Sequence, residues 1–231
     1  MHTHEIQTHK TQLQTYFDGI GFDRWSAIYG DGTLSRVRQT VRSGHAAMLD
    51  QAATWLRERG AAGRLLDAGC GTGLFSVRMA GHGFAVTAVD IAPRMVAATH
   101  HAAHKAGVSD QIDCHVGDIE GVIAGLGEFD AVACFDVLVH YPQSAFVPLC
   151  TQLARQCKGP FLFTYAPYRH SLALLHRIGA FFPKGQRRTE IQMIRESVVV
   201  GALAVAGMRI RRSINISQGF YHVTLLEAGR P

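Results

Sequence analysis

The stretch richest in chemistry is Leu65-Leu66-Asp67-Ala68-Gly69-Cys70-Gly71-Thr72-Gly73. Two apolar residues and a carboxylate run into three alternating glycines. That is the pattern of a buried strand turning sharply into a helix, where a missing Cβ lets the backbone approach a ligand closely. A dinucleotide turn of the G-x-G-x-x-G/A type would put Leu74 or Ser76 at its third small position, and neither register is clean. A pyrophosphate would gain nothing from an anion at Asp67, whereas a ligand carrying an ammonium and a sulfonium would. Asp90 follows Gly73 by 17 residues, at the end of a second apolar run, where a carboxylate can accept hydrogen bonds from both hydroxyls of a ribose. Asp118 ends a third run and is followed by Ile119, a pair suited to an adenine amino group and ring face. Taken singly, Asp67 and Asp90 also suit helix caps. As a set, the three carboxylates trace one extended adenosyl ligand along a sheet edge.

These residues need strands that end side by side. Arg64 to Ala68, Phe84 to Asp90, Gln111 to Asp118, Phe129 to Phe135 and Pro160 to Ala166 read as five strands. Helical segments separate them at Leu74 to His82, Pro93 to Ala106 with proline at a helix start, and Ser144 to Cys157. Alternating strands and helices predict a parallel sheet wound by right-handed crossovers. Beyond the fifth strand come an apolar helix over His170 to Phe182, a basic PKGQRR loop, and a helix from about Glu190 to Ala206. Two further strands, Met208 to Ser217 and Phe220 to Glu227, are joined at Gln218-Gly219 as an antiparallel hairpin. Residues from about Gln12 to Arg59 are too aromatic for a solvated tail and are expected to form helices over the carboxyl edge of the sheet.

Composition excludes several classes. With 231 residues, 47% hydrophobic and 18% charged, the chain is an ordinary globular one with a single core. A net charge of +5, carried mostly by arginine and without a polybasic run, favours anionic small partners over nucleic acid. The N-terminus shows no apolar signal region, so a cytoplasmic location is expected. The five cysteines, Cys70, Cys114, Cys134, Cys150 and Cys157, are odd in number and form no C-x-x-C pair, which fits free thiols. His100, His101 and His104 share a helix face but lack an acidic or cysteine companion, so no protein-bound metal is expected.

The D-A-G-C-G-T-G turn with Asp90 resembles the class I S-adenosylmethionine-dependent methyltransferases. The resemblance implies a Rossmann-like α/β fold: a seven-stranded, mostly parallel sheet in the order 3-2-1-4-5-7-6, the last strand antiparallel, with helices on both faces. It divides the chain into an N-terminal helical lid over residues 1–60 and a methyltransferase domain over 61–231, with a helical insertion at about 168–190. The donor site is then expected at Asp67, Gly69, Gly71, Gly73, Asp90, Ile91, Asp118, Ile119, Asp136 and Arg42.

A second resemblance covers most of the chain. Gly21-Phe22-Asp23-Arg24-Trp25 with Ile28-Tyr29-Gly30, Val41 to His45, Asp136-Val137-Leu138-Val139-His140-Tyr141-Pro142-Gln143 and Gln218 to Tyr221 look like the magnesium-protoporphyrin IX methyltransferases of chlorophyll and bacteriochlorophyll synthesis. The resemblance implies S-adenosylmethionine as co-substrate and magnesium protoporphyrin IX as partner, its 13-propionate becoming a monomethyl ester. The magnesium would arrive with the substrate. An ionised propionate is itself the nucleophile, so alignment and exclusion of water should dominate over proton removal.

His140 and Tyr29 are the expected catalytic residues. Phe22, Trp25, Tyr29, Arg38, His140 and Tyr141 are the expected substrate contacts. The aromatic N-terminal segment would provide a lid and a flat apolar wall, and Arg38 or Arg42 would hold a second propionate or the methionine carboxylate. His140 reads equally as a helix cap or packing residue, and arginines four apart equally as a solvated face. A methyltransferase for another hydrophobic acceptor, such as a quinone-pathway phenol, is an alternative, as are a non-catalytic porphyrin carrier and a dinucleotide oxidoreductase. A magnesium chelatase subunit is the further partner considered. The apolar and basic residues from Arg169 to Arg188 raise peripheral contact with an anionic inner membrane as the alternative to a pocket wall.

Overall fold

The computed structural model describes residues 3–30, 32–60, 62–168 and 191–231. The strands are β1 (Arg64–Ala68), β2 (Ala85–Asp90), β3 (Ile112–Val116), β4 (Ala131–Cys134), β5 (Phe161–Pro167), β6 (Met193–Ile194), β7 (Arg209–Gln218) and β8 (Tyr221–Gly229). They form one sheet in the order β3-β2-β1-β4-β5-β8-β7, with the two-residue β6 pairing alongside the end of β5. β1 to β5 are mutually parallel, and β8 runs antiparallel to both β5 and β7. Leaving β6 aside, this is the expected seven-strand order.

Strand alternation divides the core into one apolar layer on each face of the sheet. In β1 Leu65 faces one side and Leu66 the other. In β4 Ala131 and Ala133 oppose Val132 and Cys134, and in β5 Leu162 opposes Phe161 and Phe163. Because both faces are covered, these strands read as near-continuous apolar runs, interrupted inside by Asp67 in β1 and Thr164 in β5, rather than alternating with polar residues. One face is packed by α3 (Arg36–Glu58) and α4 (Leu74–Gly81), with α5 (Pro93–Ala106) beside α4. The other is packed by α6 (Ile119–Ile123), α7 (Gln143–Arg155) and α8 (Glu196–Val205). Phe146, Phe161 and Phe163 are fully buried here, each worth about 2–3 kcal/mol in apolar transfer.

Two expectations are corrected. The N-terminal sixty residues are not all lid: α3 buries Met48, Leu49, Ala52, Trp55 and Leu56 against the sheet and is a layer of the core. Its apolar residues recur at helical spacing and so must face a continuous apolar surface. The parts that roof the carboxyl edge are α1 (Thr3–Tyr16), a π-helical turn (Phe17–Gly21) broken at Gly19, and α2 (Phe22–Tyr29). The helix expected from Glu190 begins at Glu196 instead. The residues before it are drawn into β6, where the Tyr168 amide donates to the Ile194 carbonyl (3.0 Å) and the Gln192 amide to the Val139 carbonyl (2.7 Å).

The hairpin closes with Gly219 and Phe220 between paired Gln218 and Tyr221. Gly219 at φ +57° takes the first loop position, where a side chain would also strike Thr40. The expected helix over His170 to Phe182 and the basic loop after it lie outside the described residues. Among the described residues no helix is long and apolar enough to cross a membrane.

Candidate active site

β1 delivers its chain into the glycine turn, and the geometry assigns each glycine a different task. Gly69 (φ +84°) presses so closely on Val137 that a Cβ would lie 2.0 Å from its Cγ2, and Gly73 (φ +81°) packs against Thr99 of α5. Gly71 (φ +55°) has nothing within 4 Å of a notional Cβ and lies on the lining of a cleft. The amides of Gly69 and Cys70 are tied to the Val89 carbonyl at 2.7 and 3.0 Å, which fixes the turn to the end of β2.

Asp90 closes the turn from the other side. One carboxylate oxygen accepts the Gly71 amide (3.0 Å) and the other the Ala92 amide (2.9 Å). Burial pushes its pKa up, and these backbone donors pull the other way. Asp67, 2% exposed, accepts a hydrogen bond of 2.5 Å from the Ser76 hydroxyl of α4. Burial raises its carboxyl to about 6, with the Ser76 bond opposing and the nearby charge of Asp90 reinforcing the shift. Two partly desolvated carboxylates in one cleft make it a place for a cation.

The roof is held by polar ties that land on the loops of the sheet edge. Lys10 of α1, 7% exposed, reaches Asp118 (2.8 Å) and Glu120. Burial works against its charge, and the two carboxylates outweigh it to raise its pKa. His9 Nε2 meets the His140 carbonyl (2.9 Å), and Gln14 donates to the Ile91 carbonyl (3.1 Å). Leu13 and Phe17 then face the cleft, and Phe17 meets the His140 ring edge-on at 5.2 Å.

Lining the same cleft, Trp25 and Tyr29 stack in parallel (6.2 Å, 7°) beside His45 of α3. The Tyr29 hydroxyl bonds His45 Nδ1, and His45 Nε2 faces Asp136 at 3.9 Å. Asp136 lies beyond β4 in the left-handed region (φ +56°). It accepts the Tyr221 hydroxyl (2.8 and 3.1 Å) and the Thr164 hydroxyl (3.0 Å). A non-glycine residue pays to sit in that conformation, and the returns here are these side-chain bonds together with its amide bond to Thr164 Oγ1 (2.6 Å).

The structure therefore brings Asp67, Gly69, Gly71, Asp90, Ile91, Asp118, Ile119 and Asp136 to one cleft with Trp25, Tyr29, His140 and Tyr141. Four expected site residues stand off it. Gly73 serves α4–α5 packing, and Phe22 lies under the Arg94 guanidinium at 4.1 Å. Arg38 and Arg42 are exposed on α3, where the length of an arginine leaves the head group in water; Arg42 still acts on Tyr29 through its charge. His100, His101 and His104 are exposed on the outer face of α5. His45 and Lys10 were missed. His45 ends the run Val41 to His45, but only the crossing of α2, α3 and the end of β4 brings it to both Tyr29 and Asp136.

A doubly wound sheet with a glycine turn, a carboxylate at the end of β2 and the apolar Ile91 and Ile119 lining the same cleft defines the protein as a class I S-adenosylmethionine-dependent methyltransferase. Two family profiles match: "Methyltransferase domain" over residues 65–159 and "Magnesium-protoporphyrin IX methyltransferase C-terminus" over residues 134–230. The chain is 33% identical to a magnesium-protoporphyrin O-methyltransferase of Synechocystis over 96% of both chains. It is 35% identical to a chloroplastic magnesium protoporphyrin IX methyltransferase of Arabidopsis thaliana, over 95% of this chain and 70% of that one. A crystal structure of the Synechocystis magnesium protoporphyrin IX methyltransferase with bound S-adenosylhomocysteine superposes with a TM-score of 0.85, at 32% identity over 96% of this chain and all of that one. The chain belongs to the magnesium-protoporphyrin IX methyltransferase family.

Proposed function

We propose that this protein transfers the methyl group of S-adenosylmethionine to a propionate carboxylate of magnesium protoporphyrin IX, giving the monomethyl ester and S-adenosylhomocysteine. The observation that carries this reading is the continuity of one cleft, lined by the glycine turn, Asp90 and Asp118 and also by the stacked Trp25 and Tyr29. The donor supplies a methyl group activated by sulfonium charge. Asp67 would face its ammonium, Asp90 its ribose hydroxyls, and Asp118 with Ile91 and Ile119 its adenine. Open space beside Gly71 and a cleft floor of two buried carboxylates fit such a cationic nucleoside.

The acceptor oxygen is ionised near neutral pH, so the chain has no proton to remove before attack. What the residues contribute is position and dryness. Leu13, Phe17, Trp25, Tyr29 and His140 all line the cleft; the first three would keep water from the reacting carboxylate, and Tyr29 and His140 would meet acceptor and donor. His140→Ala is expected to lower kcat at least about tenfold while S-adenosylhomocysteine affinity stays within about twofold. Unchanged turnover at saturating porphyrin would leave His140 a packing residue.

The Asp67 carboxyl gives a pH dependence with a definite sign. Its folded pKa of about 6 exceeds its ordinary 3.8, so the folded protein favours the protonated form and loses stability as pH rises through that interval. A donor ammonium prefers the ionised form, so donor affinity rises with pH and levels off above about 6. The dissociation constant of S-adenosylhomocysteine is expected to tighten about tenfold from pH 5 to 7, and Asp67→Asn to remove most of that change. A flat profile in the unaltered protein would take Asp67 out of the donor site.

Incubation with magnesium protoporphyrin IX and S-adenosylmethionine tests the acceptor. Absence of the monomethyl ester from protein that binds S-adenosylhomocysteine would overturn the porphyrin assignment. Substrate hand-over from a magnesium chelatase subunit and peripheral contact with an anionic membrane from the cytoplasmic side belong to the same reading. The second is motivated by the apolar and basic residues 169–188, which lie outside the described residues. Failure to co-sediment with anionic liposomes at low ionic strength would dismiss the membrane contact.

A further inference from the structure

We propose that His45 is a positioning residue of the methyl transfer: with Asp136 it orients the Tyr29 hydroxyl so that its proton is spent on His45 and its lone pairs face the cleft. The proposal rests on the methyl-transfer reading above and adds to it which reactant Tyr29 serves.

His45 is held by four side chains from three elements. Trp25 and Tyr29 come from α2, Asp136 from the end of β4, and the Tyr221 ring from β8 at 6.1 Å. The neighbouring Gly44 is what lets Tyr221 reach α3, since a Cβ there would lie 2.5 Å from the Tyr221 ring. Asp136 cannot turn away, because Tyr221 and Thr164 both donate to its carboxylate. An anion facing Nε2 selects the tautomer with the proton on that nitrogen, which leaves Nδ1 with a lone pair.

The group that meets Nδ1 is the Tyr29 hydroxyl, which must then donate. A tyrosine has one proton. With that proton committed to His45, Tyr29 shows the cleft only an electron-rich oxygen. Such an oxygen repels an ionised propionate and attracts the electropositive methyl of a sulfonium donor. Tyr29 therefore faces the transferred methyl, and the propionate is left to other groups.

The charges around the ring agree. Among the described residues, the titratable and charged groups facing this pair are Asp136, Tyr221 and, through Tyr29, Arg42. Burial lowers the pKa of His45 against the pull of Asp136, which keeps the ring neutral, and burial with Asp136 raises that of Tyr29 against Arg42, which keeps the phenol protonated.

A double-mutant cycle and a spectroscopic measurement test this together. Tyr29→Phe and His45→Phe are each expected to lower kcat about tenfold or more with S-adenosylhomocysteine affinity within about twofold. The double variant should be no slower than Tyr29→Phe alone. His45→Asn, whose side-chain oxygen can accept from the place of Nδ1, should recover most of the rate. In protein labelled with 15N-histidine, His45 should show the Nε2-protonated tautomer, and Tyr29→Phe should shift its Nδ1 resonance. Multiplying losses in the double variant, or an Nδ1-protonated ring, would overturn the proposal. Should His45→Phe fail to bind S-adenosylhomocysteine, His45→Asn and the tautomer decide. If no ester forms even with the unaltered protein, the acceptor reading has failed, and the tautomer still judges the orientation of Tyr29.

Discussion

Asp90→Ala is expected to weaken S-adenosylhomocysteine binding roughly 100-fold by calorimetry, about 2.7 kcal/mol, and to lower the melting temperature as well. Two losses combine. The ribose hydroxyls would lose a charged acceptor, and the amides of Gly71 and Ala92, which Asp90 accepts at 3.0 and 2.9 Å, would be left without it. The glycine turn is thus shaped by the same carboxylate that is read as meeting the sugar, so binding and local order fall together. Asp90→Asn keeps an acceptor for one amide but not the charge, and an intermediate loss of about tenfold is expected. An Asp90→Ala affinity within threefold of the unaltered protein would take Asp90 out of the donor site.

Gly69→Ala should be the most damaging single methyl group in the site. The residue sits at φ +84°, which costs a side chain about 1–2 kcal/mol, and the added Cβ would lie 2.0 Å from Val137 Cγ2. Forcing that contact adds about 1–3 kcal/mol, and in a chain of this size the total corresponds to a melting temperature lower by roughly 10 °C. Val137 is next to Asp136, so the displacement also reaches the carboxylate that faces His45, and turnover should fall further than stability alone explains. Val137→Ala in the Gly69→Ala background removes the collision and leaves the backbone strain, so about half of the lost stability should return. Melting within 2 °C of the unaltered protein would show that Val137 yields at little cost.

Residues 64 to 73 were legible because local sequence decides them: an apolar run, a carboxylate and three glycines can only make a buried strand, a turn and a helix. The alternation of five strands with helices was sufficient for the parallel sheet, since few right-handed topologies satisfy it. β6 was not legible, because Met193 and Ile194 are paired only by virtue of lying beside Ala166 and Pro167. The N-terminal lid was read too long for a related reason. The aromatic residues of α2 and the apolar stripe of α3 look alike in sequence, and only the sheet face beneath α3 makes it a core helix.

By itself the sequence determined that three carboxylates share one edge of the sheet. Asp67 is the last but one residue of β1, Asp90 ends β2 and Asp118 follows β3 by two residues, and parallel strands in the order 3-2-1 must bring those ends to one line. It also carried the likeness to one enzyme family, through runs that are long and specific. Tertiary structure alone decided which side chains share the reacting space. Tyr29, His45, Asp136 and Tyr221 come from α2, α3, the end of β4 and β8, separated by up to 192 residues in the chain, and meet because these elements pack there. The same packing leaves Arg38, Arg42 and Phe22 outside the cleft. Chain spacing sets which face of one helix or strand a residue occupies, and crossings between elements far apart in the chain set what that face meets.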